Sequence, residues 1–336
     1  MTDKYVLGID TSNYKTSLAV VCGYDIAADI RRFLTVKEGE RGLRQSEALF
    51  QHVQNLPELF AEFRESFQGN IDAIAYSTRP RPMEGSYMPC FTAGRSQAIA
   101  LASALDVPVI GFSHQEGHIE AAAASCGRRP DGDFIGCHFS GGTCEVLKIT
   151  VKDHAPCGAS SFEDLNGENS FYDIAIIGGT RDISYGQVLD RAGVQMGLSF
   201  PCGQILDEIA LHSSDSTNLL TGIKVREGYL NLSGFDTQLR NKLSEIAETD
   251  FAPDALIKEA FIRISDSIIK MLTQCTDQTG IHSVYLSGGV TSSRFIRNSI
   301  SEKLQKEGCQ VHFAAPELSS DNAVGTALLG SRYLWD

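Results

Sequence analysis

The sequence predicts an α/β chain in which one pattern of elements occurs twice, and three observations carry that prediction. Short β-branched runs separated by polar turn residues open both halves, first over Tyr5 to Val36 and again over Gly132 to Thr150. Each opening is followed by helical stretches alternating with strands. Turns rich in Gly, Ser and Thr follow strands at corresponding places in the two halves. The expected order is β-β-β-α-β-α-β-α, twice, with a cleft between the halves. At 336 residues the chain also exceeds what one core usually supports, so two domains are the prior. The first is expected over 1–128 and the second over 129–321, with Gly127 to Asp133 as linker and a helix over 322–334 packing back on the first domain.

Taken in order, YVLGIDTSNYKTSLAVVCGYDIAADIRRFLTV reads as three strands with two turns. A helical pattern covers Ser46 to Phe67, a strand Ile71 to Thr78, a helix Thr92 to Leu105, and a strand VPVIGF. The second copy starts with two strands around a Gly-Gly turn, GDFIGCHFSGGTCEVLKIT, and a third short strand is expected near His154 to Cys157. Helices follow over Ser184 to Gly197, Gly203 to His212 and Pro253 to Thr279. Then come the strand HSVYLSG, a helix over Ser292 to Glu307, the strand VHFAA and a last helix over Asn322 to Tyr333. The halves share no visible sequence identity, so the repeat rests on element order alone.

Composition narrows the function. Apolar residues make up 42% and charged residues 21%, ordinary for a globular chain. The net charge of −13 argues against unaided binding to nucleic acid, which needs a basic face. It leaves room for an RNA delivered by a basic partner. No apolar run approaches the ~18 residues of a membrane span. The start MTDKYVLGID lacks a signal-peptide pattern. The nine cysteines are scattered, with no C-x-x-C, which fits reduced thiols, and a cytoplasmic protein is expected.

The stretch SHQEGHIEAA, Ser113 to Ala122, carries the most chemistry. His114 and His118 are four apart, so on a helix they share a face and can share a metal. Glu116 lies about 200° around the helix from His114, so it is misplaced as the general base of an H-E-x-x-H protease. Ser113 and Glu116 instead form a capping box that starts the helix at His114. Three turns could cradle phosphate: Gly8 to Ser17, Phe139 to Glu145, and Leu286 to Arg294. Gly141-Gly142 alone reads most simply as a plain hairpin turn, but the three together favour a nucleotide.

These residues resemble the TsaD family of tRNA threonylcarbamoyladenosine synthases, also known as Gcp or O-sialoglycoprotein endopeptidases. The resemblance runs nearly end to end, through GIDTS, GRS (Gly94 to Ser96), HQEGH, FSGGT, DISYGQVLDR, FPCG, LSG (Leu232 to Gly234), SGGV and SSDNAVGTA. It implies the duplicated actin/Hsp70/sugar-kinase-like (ASKHA) fold, with two domains around a nucleotide- and metal-binding cleft. It implies a third metal ligand, Asp321, beside His114 and His118, a set that suits Fe(II) or Zn(II). The nucleotide, an adenine nucleotide or acyl adenylate, would meet Phe139, Ser140, Gly141, Gly142 and Thr143, with Asp190 at the ribose. Gly203, Asp207, Gly288, Gly289 and Ser293 would line the same pocket, and Asp10, Thr11, Ser12 and Lys15 would form the first phosphate loop. No catalytic residue is implied beyond the metal site.

The sequence departs from the family at several of these places. Tyr14 and Lys15 stand where two acidic residues are usual, Arg79-Pro80-Arg81-Pro82 where a Gly-Pro-Gly loop is usual, Thr143 in place of a His, and Ser293 in place of an Asn. Lys15, Arg79 and Arg81 can hold a more anionic ligand. The reading is therefore a divergent metal-dependent acyltransferase. It would move a threonylcarbamoyl or related carbamoyl group from an acyl adenylate to an amine, in the family N6 of adenosine 37 of tRNA. It implies tRNA only through companion subunits, other proteins of a threonylcarbamoylation complex as partners, and no membrane. The alternatives are a paralogue with another acceptor, a nucleotide-binding scaffold, a sugar-kinase-like ATPase and a metallopeptidase.

Overall fold

A computed structural model describes residues 3–12, 14–35, 43–127, 132–152, 170–247, 253–319 and 321–335. Its first sheet has the order β3-β2-β1-β4-β5, made of Tyr5–Asp10 (β1), Lys15–Cys22 (β2), Asp25–Phe33 (β3), Ala73–Arg79 (β4) and Val109–Ser113 (β5). The first three pair antiparallel, as a meander must, and β1-β4-β5 run parallel. Three helices intervene: Gln45–Ser66 (α1), Phe91–Leu105 (α2) and His114–Ser125 (α3). Ala48, His52, Leu56, Leu59 and Phe63 form the buried stripe of α1, at three- and four-residue spacing.

The second sheet has the order β12-β11-β6-β7-β8-β10-β9. Its strands are Phe134–Phe139 (β6), Cys144–Val151 (β7), Tyr172–Thr180 (β8), Val225–Arg226 (β9), Tyr229–Leu230 (β10), Ser283–Ser287 (β11) and Gln310–Phe313 (β12). The run β8-β7-β6-β11-β12 repeats β3-β2-β1-β4-β5, so the duplication inferred from element order is present in the topology. The Gly-Gly segment is the expected hairpin, with Phe139 opposite Cys144. Helices of this half are Tyr185–Gln195 (α4), Gly203–His212 (α5), Ser233–Ala247 (α6), Asp254–Thr279 (α7) and Arg294–Lys306 (α8). The last helix, Val324–Trp335 (α9), lies on β1 and α3.

The chain divides into two compact units. One contains Met1–Arg129, Val151–Asp173 and Glu317–Asp336, with a core of Leu7, Ile9, Leu18, Leu59 and Tyr76. The other contains Pro130–Thr150 and Ile174–Pro316, with a core around Phe139, Tyr185, Phe261, Ile264 and Leu286. The first unit thus takes in 129, 151–173 and 317–321, which the expected boundary gives to the second domain. The β9–β10 hairpin and α6, which begins within the LSG motif at Ser233, add to the expected order, and the third strand of the second copy is Tyr172–Thr180. The strand expected at His154 to Cys157 and most of the proposed linker lie outside the described residues.

Candidate metal centre and nucleotide loops

The metal candidates meet at the start of α3. Ser113 caps that helix: its hydroxyl accepts from the Glu116 N–H while the Glu116 carboxylate accepts from the Ser113 N–H. The other Glu116 oxygen accepts from Ser170 Oγ at 2.7 Å and from the Phe171 N–H at 3.0 Å. Glu116 is thus buried and spent on structure, as its angular position on the helix predicts. His114 and His118 share the opposite face, with ring centroids 4.3 Å apart.

Asp321 arrives from just ahead of α9. Asn322 fixes that approach, since its Oδ1 accepts from the Gly325 N–H at 3.2 Å and its Nδ2 donates to Leu318 O at 3.1 Å. Asp321 Oδ1 then lies 3.5 Å from His114 Nε2 and 3.4 Å from His118 Nε2. One ligand atom from each of the three residues lies within 4.8 Å of the others. Ligand bonds of about 2.0–2.2 Å in a tetrahedron put donors about 3.4 Å apart, so the residues present fit Zn(II) or Fe(II). All three belong to the first unit.

Asp10 completes the constellation. Expected in a phosphate loop, Asp10 is fully buried and its Oδ1 sits 3.2 Å from His114 Nδ1. That leaves Nε2 of His114 for a metal, the arrangement in which a carboxylate orients a ligating imidazole. Ser12 Oγ donates to the other Asp10 oxygen at 2.7 Å. Thr11 Oγ1 donates to Cys90 O and accepts from the Gly94 N–H, so the two hydroxyls of this loop are already engaged.

The charges explain the titration of the cluster. Burial alone would raise the Asp10 carboxyl, but the charge and hydrogen bond of His114 hold it below the usual range. For His114, burial pulls down while Asp10 and then Asp321 pull harder the other way, leaving it well above an ordinary histidine. Burial and the neighbouring His114 push His118 down. Burial opposes ionisation of Asp321, yet its bonds to both histidines hold it well below the carboxylate range. Lys15 is buried at the start of β2, with its Nζ 4.6 Å from the Phe33 ring centroid. Burial and then Arg31 lower its pKa, against the pull of Asp321. The Arg79–Pro82 segment touches the same helix start, where Pro80 O accepts from the Gln115 N–H at 3.0 Å.

The nucleotide candidates Phe139 to Thr143, Asp190, Gly203, Asp207, Gly288, Gly289 and Ser293 all lie in the second unit. Ser140 closes its own turn: its N–H donates to Thr143 O, and its hydroxyl accepts from the N–H groups of Gly142 and Thr143. Ser184, the cap of α4, donates to Gly141 O at 2.6 Å, which seats that helix against the turn. Gly288 lies on Phe139, whose carbonyl a Cβ would approach to 2.3 Å. Space is open beside Gly141, Gly142, Gly203 and Gly289. Asp190 accepts from the Cys202 N–H at 2.8 Å, just before Gly203 starts α5, and burial raises its pKa against that bond. Asp207 has a structural task. Its carboxylate accepts from the Ser293 hydroxyl and from the Arg294 and Phe295 N–H groups at 2.9 and 3.1 Å, capping α8 from outside. Sequence reasoning missed this cap because its partners are 86–88 residues apart.

Several solved structures share the fold of this chain. The chain resembles HypF of T. kodakarensis at 17% identity and a TM-score of 0.57, over 99% of this chain and 47% of that one. Component A of the Acidaminococcus fermentans (R)-2-hydroxyglutaryl-CoA dehydratase matches at 14% identity and a TM-score of 0.54, over 99% of this chain and 100% of that one. A ROK family glucokinase from Streptomyces griseus matches at 12% identity and a TM-score of 0.51, over 97% and 98% of the two chains. With the repeated sheet order, they define the duplicated actin, Hsp70 and sugar-kinase fold.

Within that class the sequence points to one family. Residues 35–328 match the profile of TsaD, tRNA N6-adenosine threonylcarbamoyltransferase, and the chain belongs to that family. It is 25% identical over 331 residues to a probable bifunctional tRNA threonylcarbamoyladenosine biosynthesis protein of Methanothermobacter thermautotrophicus. That match covers 96% of this chain and 55% of the relative, so the chain spans about half the relative's length.

Proposed function

We propose that the protein transfers a threonylcarbamoyl or related carbamoyl group from an acyl adenylate to an amine acceptor, which in this family is N6 of adenosine 37 of tRNA. The observation that carries the reading is the convergence of His114, His118 and Asp321, with Asp10 behind His114, in a chain of the TsaD family. In the transfer the acceptor nitrogen bonds to the carbamoyl carbon. The mixed-anhydride C–O bond breaks, AMP leaves with the electron pair, and the amine proton passes to solvent. The donor is already activated, so the protein's task is to hold, orient and polarise. A Zn(II) or Fe(II) ion held by His114, His118 and Asp321 would supply Lewis-acid polarisation there.

The chain's own residues would do the rest. The Phe139–Thr143 turn, Asp190 and the Gly288-Gly289 turn would hold the adenylate, and Asp10 would keep the His114 ring oriented. With a net charge of −13, tRNA would come through companion subunits. One observation favours a second reading within the same chemistry. Lys15 is buried, its charge acts on Asp321, and Arg79 stands beside the helix start that bears His114, so a donor or acceptor more anionic than usual is favoured. The test is single-turnover transfer from labelled threonylcarbamoyl adenylate to tRNA, with companion subunits present, comparing the wild-type chain with His118→Ala. Label on the tRNA only with the wild type supports the reading. Equal transfer by both proteins, or none by either, sinks it.

A further inference from the structure

A groove of about 700 Å³ opens in the second unit, beside the β9–β10 hairpin and the first turn of α6, and none of the residues assigned to metal or nucleotide lines it. Its floor is apolar, formed by the buried Ile223, Leu230 and Phe235. Arg181, Lys224 and Arg226 line it with a single acid, Glu227. The excess of cations stands out in a chain of net charge −13. Among the described residues no carboxylate forms an ion pair with any of the three. Arg181 is instead laid over the Tyr229 ring, 4.8 Å from its centroid.

The backbone adds donors. Asp182 accepts from the Leu232 and Ser233 N–H groups at 2.8 and 3.0 Å. The first intrahelical bond of α6 runs from the Asp236 N–H to Leu232 O. The intervening amides, Gly234 and Phe235, are therefore orphan donors of the first turn, and both residues line the groove. Two guanidinium groups, an ammonium and two amides over an apolar floor suit a phosphate more than a carboxylate. Phosphate offers three acceptor oxygens and more charge. The volume exceeds that of bare phosphate and lies in the range of small-ligand sites.

We infer that this groove binds a phosphate ester with a flat or apolar body, its phosphate held by Arg181, Arg226 and the first turn of α6. A free nucleoside monophosphate and one nucleotide of an RNA strand share that chemistry. The test is footprinting of the full chain with phenylglyoxal, read by mass spectrometry, with AMP, inorganic phosphate or a short single-stranded RNA present. AMP or RNA is expected to slow modification of Arg181 and Arg226 by about an order of magnitude at saturation, and not that of Arg64. Protection by AMP alone assigns a free ligand, and protection by RNA alone assigns a strand. Asp190→Ala, which impairs the other nucleotide loops, should leave the footprint in place. No protection by any of the three ligands, or a footprint lost in Asp190→Ala, overturns the inference.

Discussion

Gly325 presses on the backbone of Gly117 so closely that a Cβ on Gly325 would lie 1.8 Å from the Gly117 carbonyl oxygen. This contact joins α3 and α9, and those helices position the metal candidates. His118 follows Gly117 directly, and Asp321 precedes Gly325 by four residues. The clash is with backbone, so nothing flexible can yield. Gly325→Ala should destabilise the protein by about 1–3 kcal/mol, the usual cost of overpacking, and separate Asp321 from the histidines. Thermal unfolding reads the first effect and metal content the second. A variant with wild-type stability and full metal would mean that the helix contact does not set the site.

The metal itself is the second prediction. The wild-type chain should bind one equivalent of Fe or Zn, and His118→Ala should retain almost none, by elemental analysis. Asp10→Asn keeps the shape but weakens the acceptor behind His114. A tenfold to hundredfold loss of affinity, the order usual for partners of ligating histidines, is expected in chelator competition. Equal affinity in wild type and Asp10→Asn would return Asp10 to a purely structural role.

The third prediction concerns Lys15. Its buried charge acts on Asp321 and so opposes a cation bound there. Tyr14→Asp together with Lys15→Glu should strengthen divalent-metal binding and weaken polyphosphate binding. Calorimetry with Zn(II) and with tripolyphosphate measures both. If neither affinity moves, the departure at Lys15 is neutral and the ordinary family activity is the better reading.

Local features of the site were legible in the sequence, and its long-range ones were not. The Ser113 cap and the His114–His118 spacing are helix properties visible within six residues, and both are present. The pairing of Asp10 with His114 spans 104 residues and leaves no local trace, so Asp10 was read by its loop alone. The strand Tyr172–Thr180 lies well after the His154 to Cys157 position expected for it, although its run of isoleucines and alanine is strand-like. Helix α6 buries Phe235, Leu239 and Leu243 at four-residue spacing, a readable stripe that the expected element order leaves out.

The last prediction tests stability against pH through Glu259, in the second unit. Glu259 is buried in α7, and its carboxylate accepts from Thr217 Oγ1 and from the Leu219 and Leu220 N–H groups at 2.8 and 3.1 Å. Arg263 Nη2 adds an ion pair at 2.9 Å. Burial opposes ionisation, but these donors outweigh it and hold the pKa below the ordinary glutamate value. A folded-state pKa lower than the unfolded one stabilises the protein above the unfolded pKa of about 4.3. That contribution fades as pH falls through the folded value. Glu259→Gln should therefore cost about 1–3 kcal/mol at neutral pH, as expected when a hydrogen-bonded charge is removed. Urea unfolding at pH 7 and near pH 4 should show the gap between wild type and variant narrowing in acid. A gap that stays constant or widens would show that packing, and not the charge, sets the contribution of Glu259.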